Sequence, residues 1–132
     1  MNLDKLALFQ AIGRRLEWLA GRQEVLARNI ANADTPGYRP SDVAPFADHV
    51  AGAGGGRLRL AATQAGHLTG AGAPSVRVVA ERDAYEASPN GNQVDLEQQM
   101  LKLGETQMEH QLASDLYRKH LGLIRTALGR GR

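Results

Sequence analysis

Four histidines, His49, His67, His110 and His120, are the residues of this chain best suited to acid–base or metal chemistry. A helical metal site needs ligands about one turn apart, and a general base needs a partner that orients it. The histidines show neither an HExxH run nor an i, i+4 pairing. His110 falls on the seam of a helical stretch and reads as a packing residue. His67, in Gln-Ala-Gly-His-Leu-Thr-Gly, reads as a loop residue. The run Gly52–Arg57 (GAGGGR) has the composition of a phosphate loop but lacks the following Lys-Ser/Thr and opens no helix, so it reads as a flexible linker. Asp83 and Glu86 sit in polar sequence with no pocket to perturb them. There is no cysteine, which removes disulfides, thiolate metal sites and thiol nucleophiles. The expectation is a protein with no active site, no metal and no cofactor.

The elements that would position any site are two helices. The chain has 132 residues, enough for a single domain, and its aromatic fraction of 5% argues against a large globular core. Net charge is +2, from 16 basic and 14 acidic residues. Arg118, Lys119, Arg125, Arg130 and Arg132 gather at the C-terminal end, where cations suit a helix terminus; nucleic-acid binding is not expected. No apolar run is long enough to span a membrane, so no stable membrane insertion is expected. The N-terminal residues lack the pattern of a cleavable signal peptide.

From about residue 3 to 32, Phe9, Ile12, Leu16, Leu19, Gln23, Leu26 and Ile30 recur in three–four alternation, a heptad seam. Asn2 suits its N-cap and Asp4 its first turn. From about 95 to 128, Leu96, Met100, Leu103, Gln107, His110, Ser114, Tyr117, Leu121, Ile124 and Leu128 do the same, with Asp95 and Gln98 forming a capping-box pattern. Each helix also carries a second apolar stripe: Ala11, Trp18 and Val25 on the first, and Leu101, Met108, Leu112, Leu116 and Leu123 on the last. A surface helix ordinarily has one such stripe. The expected fold is mainly α, with the long terminal helices paired as an antiparallel coiled coil. The seams would join the two helices, and the second stripes, Trp18 and Val25 included, would meet neighbouring subunits. The middle, about 33–93, is read as an irregular loop with at most a small hairpin, Pro74–Glu81 pairing with Leu58–Thr63, followed by a turn at Ser88–Gln93. A nucleotide binder using the glycine run and a membrane-surface helix around Trp18 are the competing readings.

The stretch Asn29-Ile30-Ala31-Asn32-Ala33-Asp34-Thr35-Pro36-Gly37-Tyr38 ends the first helix. Pro36 suits position i+1 and Gly37 position i+2 of a type II turn. Asn32 or Asp34 is the expected site of a left-handed helix stop. Placed after a heptad helix, this stretch resembles the signature of the flagellar axial proteins, the family of rod, hook and related components. In that family a long C-terminal helix returns to pair with the first. Asn92, Val94, Asp95, Leu96, Glu97 and Met100 resemble the opening of that helix in a proximal rod member, and His67–Leu68 agrees. The alternative is a sister proximal rod protein or another short axial protein, although the Tyr-Gln-Ala-Asn segment usual in the sister is absent.

The resemblance implies a structural subunit, with both termini forming one rod-core domain. It would polymerise with itself and other rod proteins into the periplasm-spanning, torque-transmitting rod. It would contact the rod–ring adapter and export gate at the rod base, and be exported through the type III channel without a cleaved signal. Asn29, Asn32, Thr35, Pro36, Gly37 and Tyr38 would be its corner motif, with Asn29 and Asn32 binding backbone groups.

Overall fold

The computed structural model describes residues 7–53, 76–81 and 87–129. Along the chain these form α1 (Ala7–Ala31), β1 (Ser41–Val43), α2 (Phe46–Ala53), β2 (Val78–Ala80) and α3 (Leu96–Ala127). The fold is the expected mainly helical one, with the terminal helices packed on each other and a small sheet between them in sequence. Asn2, Asp4, His67, Asp83, Glu86 and the suggested strand Leu58–Thr63 lie outside the described residues.

Two long helices form because their sequences are dense in Ala, Leu, Arg, Gln, Glu and Lys, which lose little freedom on becoming helical. α3 starts at Asp95, whose side chain accepts the Gln98 N–H at 3.2 Å and satisfies one of the unpaired donors of the first turn. Contacts run Asn29 to Gln99, Arg15 to Glu109 and Phe9 to Tyr117, so the helices are antiparallel. The Phe9 and Tyr117 rings meet edge to face, 5.2 Å between centroids.

α1 buries Phe9, Leu19 and Leu26 on its seam, with Ile12, Leu16, Gln23 and Ile30 half-buried. Its second stripe is where the sequence reading needs correcting. Trp18 and Val25 do not await a neighbour; both are buried within the chain. The return segment after the corner covers them with Val43, Ala44 and Phe46, residues the sequence reading passed over as loop. The Trp18 indole N–H donates to the Ala44 carbonyl at 2.8 Å, satisfying the ring's polar edge as it is buried. The Phe46 ring packs 5.9 Å from the Trp18 ring, and the Arg15 guanidinium sits 4.7 Å above the indole. Ala11, of the same stripe, stays exposed.

Three further expectations change. β2 pairs antiparallel with Ser41–Val43, in the register Ser41↔Ala80, Asp42↔Val79 and Val43↔Val78, because the segment leaving the corner lies nearest. α2 places Gly52 and Ala53 in a helix, so the linker reading does not hold for them. Among the described residues only glycines have positive φ, so neither Asn32 nor Asp34 makes a left-handed stop. α1 instead ends in tightened turns, with the Asn32 N–H on the Arg28 and Asn29 carbonyls and the Asn32 side-chain amide on the Arg28 carbonyl.

The α3 seam is also rotated. Leu103, His110, Tyr117 and Ile124 are half-buried. The second line facing α1 is Gln99, Thr106 and Ala113, all buried, with His120 half-buried. Leu96 and Met100, expected on the seam, are 45% and 58% exposed; Leu121 is half-buried. The small side chains of Ala113 and Thr106 let the helices close up where larger apolar groups would hold them apart.

Gly21 lies within α1 where an ideal Cβ would stand 2.6 Å from Val76 Cγ2 and 3.0 Å from Val76 Cβ. Val76 is β-branched and stiff, so it yields poorly. Gly21→Ala gains about 1 kcal/mol of helix propensity but overpacks this contact by ~1–3 kcal/mol. The expected outcome is a net loss of about 1 kcal/mol, read as a lower urea midpoint. A raised midpoint contradicts the packing role.

Candidate functional site

The corner is held by side-chain amides. Asn29, the last buried residue of α1, is fully enclosed and uses all four of its hydrogen-bonding positions. Its Nδ2 donates to the Ser41 carbonyl at 2.6 Å and to Gln99 Oε1 at 2.8 Å. Its Oδ1 accepts the Ser41 N–H at 3.1 Å and the Tyr38 hydroxyl at 3.3 Å. One carboxamide thus joins α1, the first residue of β1 and the first turns of α3.

Asn32 Oδ1 accepts from the Thr35 hydroxyl at 3.1 Å, inside the turn. The Tyr38 N–H reaches the Thr35 carbonyl at 3.2 Å and Gly37 has φ 71°, the geometry anticipated for Thr35–Tyr38 with Pro36 at i+1. The Ser88–Gln93 stretch, anticipated only as a separate turn, lies directly on this corner. Buried Asn92 donates to the carbonyls of Asn32 and Thr35 at 3.0 and 2.7 Å, and its Oδ1 accepts the Val94 N–H at 2.8 Å. The Gly37 N–H donates to the Asn90 carbonyl and the Gln93 N–H to the Tyr38 carbonyl. A Cβ on Gly91 would sit 3.5 Å from Gly37 Cα, so the two turns pack backbone to backbone. The two sequence motifs, about sixty residues apart, are therefore halves of one interlocked corner.

From Asn29 a polar ladder crosses the molecule. Gln99, fully buried, donates through Nε2 to Glu81 Oε2 at 2.9 Å. Lys102 pairs with Glu81 and lies 3.9 Å from Asp42. Asp42 takes a two-point contact from Arg22, 3.1 Å at each oxygen. Among the described residues no buried side-chain nitrogen or oxygen lacks a partner. The ladder links β1 and the residue following β2 to both long helices. Sequence reasoning named Asn92 only within the resemblance, without its place at the corner, and missed Gln99, Glu81 and Asp42. The available signal was indirect: a glutamine and a threonine, Gln99 and Thr106, repeat at heptad spacing beside the apolar line.

On the other side of α3 lies an apolar face. Leu101, Met108, Leu112 and Leu123 are 64%, 69%, 61% and 57% exposed, and Leu116 is exposed beside them. Met100 and Leu96, nearer the corner, are also exposed but lie about 100° or more round the helix from the middle of this stripe. Where the helices end, Ala7, Leu8, Phe9, His120, Leu123, Ile124 and Ala127 line an open apolar cleft. The described histidines do not come together: His49 stacks on Phe46, His110 lies by the seam and His120 borders the cleft. Among the described residues, no group of His, Asp and Glu is arranged to hold a metal ion, and no helix is long and apolar enough to cross a membrane.

Asn29→Asp keeps the two acceptor contacts but turns the donors toward Ser41 O and Gln99 Oε1 into an oxygen facing oxygens. It is expected to destabilise the chain by about 2–4 kcal/mol, in the range for leaving buried polar groups unpaired. An exposed control, Asp115→Asn, is expected to shift stability by about 0.5 kcal/mol or less. Urea titration followed by circular dichroism makes the comparison; equal midpoints would remove Asn29 from its central place.

The sequence comparisons agree with this arrangement. The family described as flagella basal body rod protein matches residues 13–39, the central and C-terminal part of α1 and the corner turn. The flagellar basal body rod protein FlgB of Agrobacterium fabrum is 34% identical over 118 residues, 87% of each chain. The FlgB proteins of Escherichia coli and Salmonella typhimurium are 57% and 52% identical over 42 residues, 31–32% of this chain and 29–30% of theirs. With an identity that runs across most of both chains and a family match that spans most of α1 and ends on the corner, the chain belongs to the FlgB family of flagellar basal body rod proteins, structural components of the rod.

Proposed function

We propose that this chain is a proximal rod subunit that packs against other rod subunits through the outer face of α3. The observation that carries this reading is the stripe Leu101, Met108, Leu112, Leu116 and Leu123, left in water by a chain that encloses the corresponding stripe of α1. Large continuous apolar surface on a soluble chain calls for a partner. A rod subunit has such partners on several sides: copies of itself and other axial proteins. At the rod base, the rod–ring adapter and the export gate are the expected neighbours. On this reading the subunit reaches the periplasmic rod through the type III channel without a cleaved signal, and it works by transmitting torque rather than by catalysis. Trp18 and Val25, enclosed by β1 and α2, take no direct part in contacts between subunits; they brace the corner from inside.

Leu112→Asp tests the reading. Leu112 is largely exposed, so the substitution is expected to change the stability of the isolated chain by about 0.5 kcal/mol or less. In a strain carrying only this variant, the chain is expected to be exported normally while isolated basal bodies lack the rod and cells fail to spread in soft agar. Normal spreading would remove the α3 stripe from the assembly interface.

A further inference from the structure

α3 contains two faces able to pack on α1, and the folded chain uses the less apolar one. Apolar patterning places Met100, Gln107, Ser114 and Leu121 beside the line Leu103, His110, Tyr117 and Ile124. The structure buries Gln99, Thr106 and Ala113 there and leaves Met100 and Gln107 exposed, while His120, Ser114 and Leu121 are all half-buried. The difference is a turn of α3 about its own axis by roughly 50°, half of the ~100° between consecutive residues. Burial of apolar area alone favours the other rotation, which would bring Met100 inward.

What opposes it is the polar ladder. Gln99 is held between Asn29 of α1 at 2.8 Å and Glu81, just beyond β2, at 2.9 Å. Asn29 and Glu81 are themselves fixed: Asn29 by both backbone groups of Ser41, Glu81 by its N–H on the Pro40 carbonyl. Lys102, one turn further along α3, pairs with the same Glu81. Turning α3 to bury Met100 swings Gln99 away from both partners and leaves an enclosed amide N–H and a nearly enclosed carboxylate short of hydrogen bonds. A single buried polar residue specifies pairing in two-helix assemblies in the same way, by penalising the wrong arrangement.

We propose that Gln99 is the specificity-determining residue of this chain: held by Asn29 and Glu81, it selects which face of α3 turns inward. It thereby keeps Met100 outward and Thr106 inward; Leu101, Met108 and Leu112 lie on the far side of α3 in either rotation.

The absence of native cysteine makes the test direct. Single thiols are introduced by Met100→Cys or by Thr106→Cys in the full-length, unassembled chain, and alkylation by N-ethylmaleimide is timed. With Gln99 present, the thiol at position 100 is expected to react fast and that at 106 slowly. Adding Gln99→Leu is expected to slow the first and speed the second, each by about tenfold. Parental rates at both positions overturn the proposal. Where Gln99→Leu unfolds the chain, seen as equal, urea-like rates at both positions, Glu81→Ala decides. It removes one of the two groups that hold Gln99 while leaving the Asn29–Gln99 pair in place. A shift in the same direction of about threefold supports face selection; unchanged rates overturn it. These rates are read before assembly, so they stand whether or not Leu112→Asp blocks the rod.

Discussion

The carboxamide of Asn29 is the contact on which the rest of the structure depends. It lies in the last turn of α1, binds both backbone groups of Ser41 as the chain returns, and donates to Gln99 as α3 begins. A buried amide with two donors and two acceptors is worth little while fully paired, because folding only exchanges water partners for protein ones. It is costly when any partner is missing. That asymmetry makes Asn29 a positioning device. The arrangement that satisfies it satisfies all four positions at once and so sets the places of α1, β1 and α3 together.

Two consequences follow from this one point. The return segment is pinned close to α1, which brings Val43, Ala44 and Phe46 over Trp18 and gives the first helix an intrachain cover for its second stripe. The last helix is held in a rotation that its apolar residues alone would not select, with Gln99 and Thr106 inside and Met100 and Gln107 outside. A chain with a modest aromatic content thereby completes a small core on one side and keeps an apolar surface on the other. For a subunit of a larger structure, that division is the useful one: the inward contacts shape the building block, and the outward face remains for association.

Much of the fold was legible because helical patterning is local. The alternation from Phe9 to Ile30 marked the buried side of α1, Asp95 marked the start of α3, and Pro36–Gly37 marked the turn. The line Leu103, His110, Tyr117 and Ile124 was half the seam. The other half was not legible, because a glutamine, a threonine and an alanine carry no hydrophobic signal, and their burial depends on partners about seventy residues away in sequence. The same holds for Asn92. It looked like a turn residue, yet its amide closes the corner by binding Asn32 and Thr35 carbonyls. The strand pairing failed for a related reason: alternation suggested Leu58–Thr63 as a partner, whereas Asn29 had already placed Ser41–Val43 beside β2.

The sequence by itself determined the two helices, where each begins or ends, the turn between them and, through its corner motif, the family. Those are set by backbone propensity, capping and φ restrictions that act within a few residues. Only the tertiary structure decided which face of each helix is enclosed and which is left outward. That choice rests on pairing buried amides and carboxylates from distant segments, and Asn29, Gln99 and Glu81 left short of partners together outweigh the gain from burying one more methionine.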